Sequence, residues 1–254
     1  MHDGAEQYGN LHRDLMLSAE AAIDWLCLAQ DNSASADGGV SRDFSPIKGW
    51  ETSYPETTGY IIPTLISYAK LTKRTELLHR SRVMLDWLVS IQFPGGGFQG
   101  GRIDSSPLVP VSFNTGQILL GLAAGMREFG SDYRGPLVRA ANWLVSTQDA
   151  NGCWRRFPTP FACPGVKTYE THTAWGLLEA ARAANNTQYA RAALANINWA
   201  LSLQRENGWV PSCCLVDNKR PLTHTLGYFL RGVLEGFVFS RDQYLLEAAL
   251  KTGR

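Results

Sequence analysis

Two kinds of apolar stretch alternate along the chain. In one, hydrophobic residues recur at helical spacing on a single face, as in Leu137, Ala141, Leu144 and Val145, which predicts amphipathic helices over residues 11–30, 76–92, 134–148 and 188–204. In the other the apolar character runs nearly all round, as in Ile118-Leu119-Leu120-Gly121-Leu122-Ala123-Ala124. That pattern predicts buried helices over 57–71, 113–128, 171–184 and 223–239. Short links such as Asn185-Asn186-Thr187 join a buried helix to the next amphipathic one, and long glycine-rich loops join the two helices within each pair. Loops of that length in a compact domain are usually functional.

The alternation is an internal repeat. Tryptophan is followed five residues later by glutamine at Trp25/Gln30, Trp87/Gln92, Trp143/Gln148 and Trp199/Gln204, with tryptophan steps of 62, 56 and 56 residues. A second column, X-Thr, opens each buried helix: Thr57-Thr58, Asn114-Thr115, His172-Thr173 and His224-Thr225. These features predict an all-α chain, a single α/α toroid over residues 1–254, with amphipathic helices outside and apolar helices inside. A fifth outer helix from Asp242 to Lys251 has no inner partner. The ring is therefore expected to be open or incomplete, with an edge through which copies could associate.

Composition narrows the partners. Lys+Arg 24 against Asp+Glu 23 leave a formal charge of +1, without the basic stripe that neutralises a nucleic-acid backbone. No apolar run is long enough to span a membrane, and the first residues lack the pattern of an export signal. Cys27, Cys153, Cys163, Cys213 and Cys214 form an odd set, which reads as reduced thiols in a cytoplasmic protein. The adjacent Cys213-Cys214 pair reads as small buried apolar residues.

Chemistry is expected where the repeat holds a position fixed and changes the residue. The threonines read as helix N-caps. Their neighbours Asn114, His172 and His224 have no packing reason to vary toward polar groups at one ring level. Tyr54, Glu56, Tyr169 and Glu170 stand beside them. Carboxylates at helix starts offset the dipole, but two carboxylates, two histidines and several tyrosines at one cavity mouth indicate a site. Inner-helix N-termini aimed at that mouth suit an anionic or polyhydroxyl ligand. They also favour neutral imidazoles, available as bases. Trp50, Tyr60, Gln117, Trp154, Arg156, Trp175 and Tyr228 complete the expected binding surface.

The string Gln148-Asp149-Ala150-Asn151-Gly152-Cys153-Trp154 resembles the Gln-Trp repeat of terpene cyclases and protein prenyltransferase beta subunits, both α/α toroids. The chain has no Asp-x-Asp-Asp string for cyclase acid chemistry. Resemblance to the prenyltransferases implies a zinc set at Glu170, His172 and His224, whose ligand types suit a three-coordinate site with an open position. The segment from Tyr54 to Tyr60 is more similar to toroidal polysaccharide lyases, glycosidases and uronyl epimerases. This resemblance implies an enzyme acting on an acidic, uronate-containing saccharide by elimination or hydrolysis. In it His172 or His224 moves a proton, Tyr54 or Tyr169 serves the leaving oxygen, and Glu56 and Glu170 act as acid, base or orienting groups. Asn114, Gln117 and Arg156 bind hydroxyl or carboxylate groups, and no cofactor is required. The alternatives are the metal-dependent isoprenoid toroid and a non-catalytic binding or scaffolding toroid.

Overall fold

The computed structural model describes residues 3–217, 220 and 222–254, with side chains from residue 14 onward. Its helices follow the apolar pattern. The outer helices are α1 (Asp3–Asp31), α3 (Glu76–Ser90), α5 (Arg134–Thr147), α7 (Thr187–Leu201) and α9 (Gln243–Gly253). The inner ones are α2 (Pro55–Thr72), α4 (Ser112–Phe129), α6 (Thr171–Ala184) and α8 (Thr223–Ser240). The first helix starts well before residue 11, because the Ala, Glu and Gln that precede it are good helix formers despite their lack of an apolar face. A small antiparallel hairpin, β1 (Phe44–Ser45) with β2 (Gly49–Trp50), sits in the first long loop. No helix among the described residues is long and apolar enough to cross a membrane.

The inner helices pack side by side in chain order, α2 on α4, α4 on α6 and α6 on α8. Their glycines set the spacing: a Cβ at Gly116 would lie 2.6 Å from the Thr173 Cα, and one at Gly59 would lie 2.6 Å from the Ile118 Cα. Helix α4, with neighbours on both sides, is buried from Ser112 to Gly125. That position explains its all-round apolarity.

The glutamine column stitches the outer layer. Gln92 Nε2 donates to Gly96 O and to Pro136 O, each at 2.9 Å, tying the end of α3 to its own loop and to α5. Gln148 repeats the pattern on Gly152 O and Ala192 O, both at 2.9 Å. Gln30 does so on Gly38 O and Arg80 O, and Gln204 reaches Ala248 O in α9 at 2.8 Å. The tryptophan column covers the preceding loop: Cβ atoms at Gly39 and Gly97 would lie 2.6 and 2.9 Å from the Trp87 and Trp143 rings.

The threonine column does something other than capping. No side-chain cap is made at the start of α2, α4, α6 or α8. Thr58 Oγ1 instead donates to Tyr54 O at 2.9 Å and accepts from Val40 N at 3.0 Å. Thr115 does the same with Val111 O at 2.8 Å and Phe98 N at 2.9 Å. Each hydroxyl clips its incoming loop onto the first helical turn, satisfying a buried loop N–H that would otherwise be orphaned. Thr173 Oγ1 is buried without a hydrogen-bond partner.

Candidate functional site

At the N-terminal ends of the inner helices lies a cleft of about 280 Å³. Tyr54 just before α2 and Glu56, Thr57 and Tyr60 in its first two turns line it, α4 supplies Phe113, and the start of α8 supplies His224, Thr225 and Tyr228. Long loops add Arg42, Thr159, Phe161 and Leu215, and the short 3-10 turn before α6 adds Tyr169. Pro55 at the first turn of α2 needs no donor there, and it aims the residues that follow into the opening.

Glu56 is the carboxyl of this cleft. It is only 8% exposed, and burial raises it from an ordinary 4.5 to about 7, while Tyr54 and then Arg42 pull the other way. Asn114 Nδ2, one helix over, donates to Glu56 Oε2 at 3.0 Å. The other amide atom, Asn114 Oδ1, is buried and unpartnered. Tyr54, Tyr60, Tyr169 and Tyr228 are all held above the usual phenol range, with burial as the leading cause. Their hydroxyls therefore stay protonated, able to donate to sugar oxygens.

The cleft opens into two further hollows. Arg42 belongs to both, and its guanidinium also lies over the Tyr54 ring, 6.0 Å from the centroid. One hollow, about 330 Å³, is lined by Arg42, Tyr54, Gly101, Arg102, Ser105 and Phe161. The other, about 420 Å³, carries the rings of Trp25, Phe44, Trp50 and Tyr60. The Trp25 and Phe44 ring centroids each lie 5.0 Å from that of Trp50. Trp50 thus presents an aromatic face on the path out of the cleft.

Other expected residues lie elsewhere. His172 is buried outside the cleft lining, Nδ1 at 2.5 Å from Gln117 Oε1, its ring centroid 4.7 Å from that of Tyr228, which does line the cleft. Burial, then the Arg231 charge, lowers it to about 3, so the ring is neutral. Gln117 is fully buried by this pairing. Glu170 is buried in the short 3-10 turn Thr168–Glu170 and is pushed well above the carboxylate range by that burial. Trp154 is not a stacking surface: it is 3% exposed, its indole N–H donating to Leu144 O at 2.9 Å. Arg156 is exposed and bonded to Ser146 O, outside the cleft lining. Trp175 stacks under Arg231 at 4.4 Å and lines a separate hollow with Tyr60 and Tyr68.

The zinc set does not assemble. Among the described residues no three His, Cys, Asp or Glu side chains are grouped to hold an ion. Glu170 and His172 stand two apart at a helix start, a spacing that sends side chains in different directions, and His224 is exposed at the rim of the cleft. Conversely, Arg42, Phe161, Thr159 and Leu215 come from loops without periodicity, and only the glycine-rich length of those loops marked them in the sequence.

No family model matches the chain, and no curated protein resembles it detectably. Solved structures do. An unsaturated glucuronyl hydrolase specific for heparin superposes on 93% of this chain with a TM-score of 0.70 at 16% identity. A sugar epimerase from a ruminal bacterium covers 87% at 0.64 and 12% identity. A glycosyl hydrolase family 88 protein from Bacteroides vulgatus covers 73% at 0.60 and 16% identity. The fold is an α/α toroid. The chain spans 65%, 64% and 62% of the lengths of those three proteins, in keeping with an arc of four inner helices.

Proposed function

We propose that the cleft binds a uronate-containing saccharide and that the chain acts on it as an enzyme, by elimination or hydrolysis, with Glu56 as the proton carrier. The observation that carries this reading is Glu56 itself, a buried carboxyl raised to about 7 at the floor of a cleft whose edge carries Arg42. A group divided between its two forms near neutral pH can both take and give a proton. Arg42 supplies the planar cation that recognises a carboxylate, the role expected of Arg156. Neighbouring hydroxyls of Tyr54, Tyr60 and Tyr228 serve the sugar oxygens, and His224 at the rim is the imidazole in reach of the leaving side.

Glu56 is the one carboxyl in the lining of this cleft among the described residues. Hydrolysis by a carboxylate pair across a glycosidic bond needs two. A lone carboxyl suits chemistry in which one group handles the proton at carbon. In elimination it removes the proton beside the uronate carboxylate, whose charge Arg42 offsets. In hydrolysis of an unsaturated uronide it protonates the double bond instead. The fold likeness to an unsaturated glucuronyl hydrolase and to a glycosyl hydrolase family 88 protein supports the substrate class.

The test is a panel of uronate-containing polysaccharides and unsaturated uronyl oligosaccharides followed by the ultraviolet absorbance of the conjugated uronate. A rise reports elimination and a fall reports consumption of an unsaturated uronide. Glu56→Gln should lower kcat by about a hundredfold or more. An unchanged rate in that variant, or no turnover across the panel, removes the assignment.

A further inference from the structure

Two loops that wall the cleft run antiparallel to each other and carry thiols at their crossing. Cys163 N donates to Leu215 O at 2.6 Å, and Thr168 N donates to Ser212 O at 3.2 Å. Cys163 thus pairs through its backbone with the residue that follows Cys214, which brings the two cysteines to one place on the crossing. Lys167, only 4% exposed, donates its Nζ to Cys163 Sγ at 2.9 Å. Cys163 is half-buried, whereas Cys213 and Cys214 are buried. Cys213 faces the other way, with its Sγ on Thr225 O.

We propose that Cys163 and Cys214 are an oxidation site, in which peroxide converts the two thiols to a disulfide that cross-links the cleft-wall loops. Reactive cysteines are partly exposed and lie beside a positive charge. Cys163 meets both conditions, whereas Cys214, although the Lys167 charge reaches it as well, is buried. Cys163 sulfur attacks a peroxide oxygen, the O–O bond breaks and water leaves, giving a sulfenic acid with Lys167 beside the departing oxygen. Cys214 sulfur then attacks Cys163 sulfur, the S–O bond breaks and a second water leaves. One peroxide is reduced to two waters and two thiols are oxidised to one disulfide. Phe161 and Thr159 on one loop and Leu215 on the other line the cleft, so the cross-link fixes the spacing of its wall. The adjacent Cys213-Cys214 pair, which stands out in the sequence, is thereby split between two roles.

The experiment treats the reduced full chain with hydrogen peroxide, blocks remaining thiols by alkylation and maps peptides by mass spectrometry. A linked peptide pair joining Cys163 to Cys214, two hydrogens lighter than the thiols and released by dithiothreitol, is expected, with Cys213 still alkylated. Cys214→Ser should stop at a sulfenic acid on Cys163 that dimedone traps. Lys167→Met should slow cross-linking several-fold, and Lys167→Arg should restore it. A Cys213–Cys214 disulfide, alkylation of all three thiols after treatment, or no dimedone adduct on Cys163 in Cys214→Ser overturns the proposal. These readouts need no substrate, so their failure is distinct from failure of the saccharide reading.

Discussion

Glu56 makes the stability of the chain depend on pH in a direction opposite to that of a salt-bridged carboxylate. Its carboxyl moves from 4.5 to about 7 on folding because burial disfavours the charged form. Between those two values the folded chain keeps a proton that the unfolded chain has released. Stability therefore falls as pH rises through that window and levels off above it. The gap corresponds to about 3 kcal/mol in full, most of it spanned between about pH 5 and about pH 8. Against a typical stability of roughly 5–15 kcal/mol this is easily measured. Glu170 is raised as well, and His172, lowered to about 3, acts in the opposite direction over the lower part of the same window, so the wild-type slope contains all three groups. Glu56→Gln isolates one of them while keeping an acceptor for Asn114. Urea unfolding of both proteins at the two pH values gives the comparison, and a contribution of about 2–3 kcal/mol should be missing from the pH dependence of the variant. Equal pH slopes in the two proteins would show that Glu56 ionises as in water, and the argument for a poised proton carrier would fail with it.

Three further outcomes are expected. Thr115→Val keeps the shape but strands the Phe98 N–H in a buried place, costing about 1–3 kcal/mol in urea unfolding; no change would mean that the hydroxyl clip is incidental. Trp87→Ala, at 6% exposure over the Gly39 loop, should cost about 3–5 kcal/mol, whereas Trp25→Ala, at 49% exposure, should cost much less; equal costs would contradict the loop-covering role of the column. Arg42→Met should raise KM for a uronate substrate about tenfold with a smaller effect on a neutral analogue, and equal effects on the two would remove Arg42 from carboxylate recognition.

The helical part of this structure was legible because burial on one face and burial all round leave different apolar periods, and a repeat writes each of them four times. The glutamine column was legible as a position but not as a device: its partners on the next outer helix lie 44 or 50 residues away, and spacing alone does not reveal which carbonyl a side chain reaches. The threonines illustrate the same limit. Their place at helix starts pointed to capping, and the loops folded back to take the hydroxyls instead. Trp50 and Trp154 stand on corresponding loops, yet one faces a hollow and the other is sealed over Leu144 O. That difference comes from the path of each loop, which carries no period. The repeat places Glu170 and His172 together at the start of one inner helix, but two positions apart there is about half a turn, so their side chains do not converge.

Asn114 is where the repeat and the chemistry meet. It occupies in α4 the position that Thr57, His172 and His224 hold in the other inner helices, and it reaches across 58 residues of chain to Glu56. Its orphaned Oδ1 costs about 1–3 kcal/mol where it stands, which the fold retains although an apolar residue would remove the cost. An amide has a use there that an apolar group lacks: it donates to an ionised carboxylate, and after turning over it accepts from a protonated one. Asn114 can thus follow Glu56 through both halves of a proton cycle. Asn114→Asp keeps the size and removes the donor, leaving two carboxyls about 3 Å apart, which cannot both ionise readily. The pair should hold a proton through neutral pH, so the basic-form limb of the rate profile should move to higher pH, with the folded structure kept at low pH. An unmoved profile would mean that Asn114 supports packing alone and that the proton on Glu56 is governed by burial without help from the neighbouring helix.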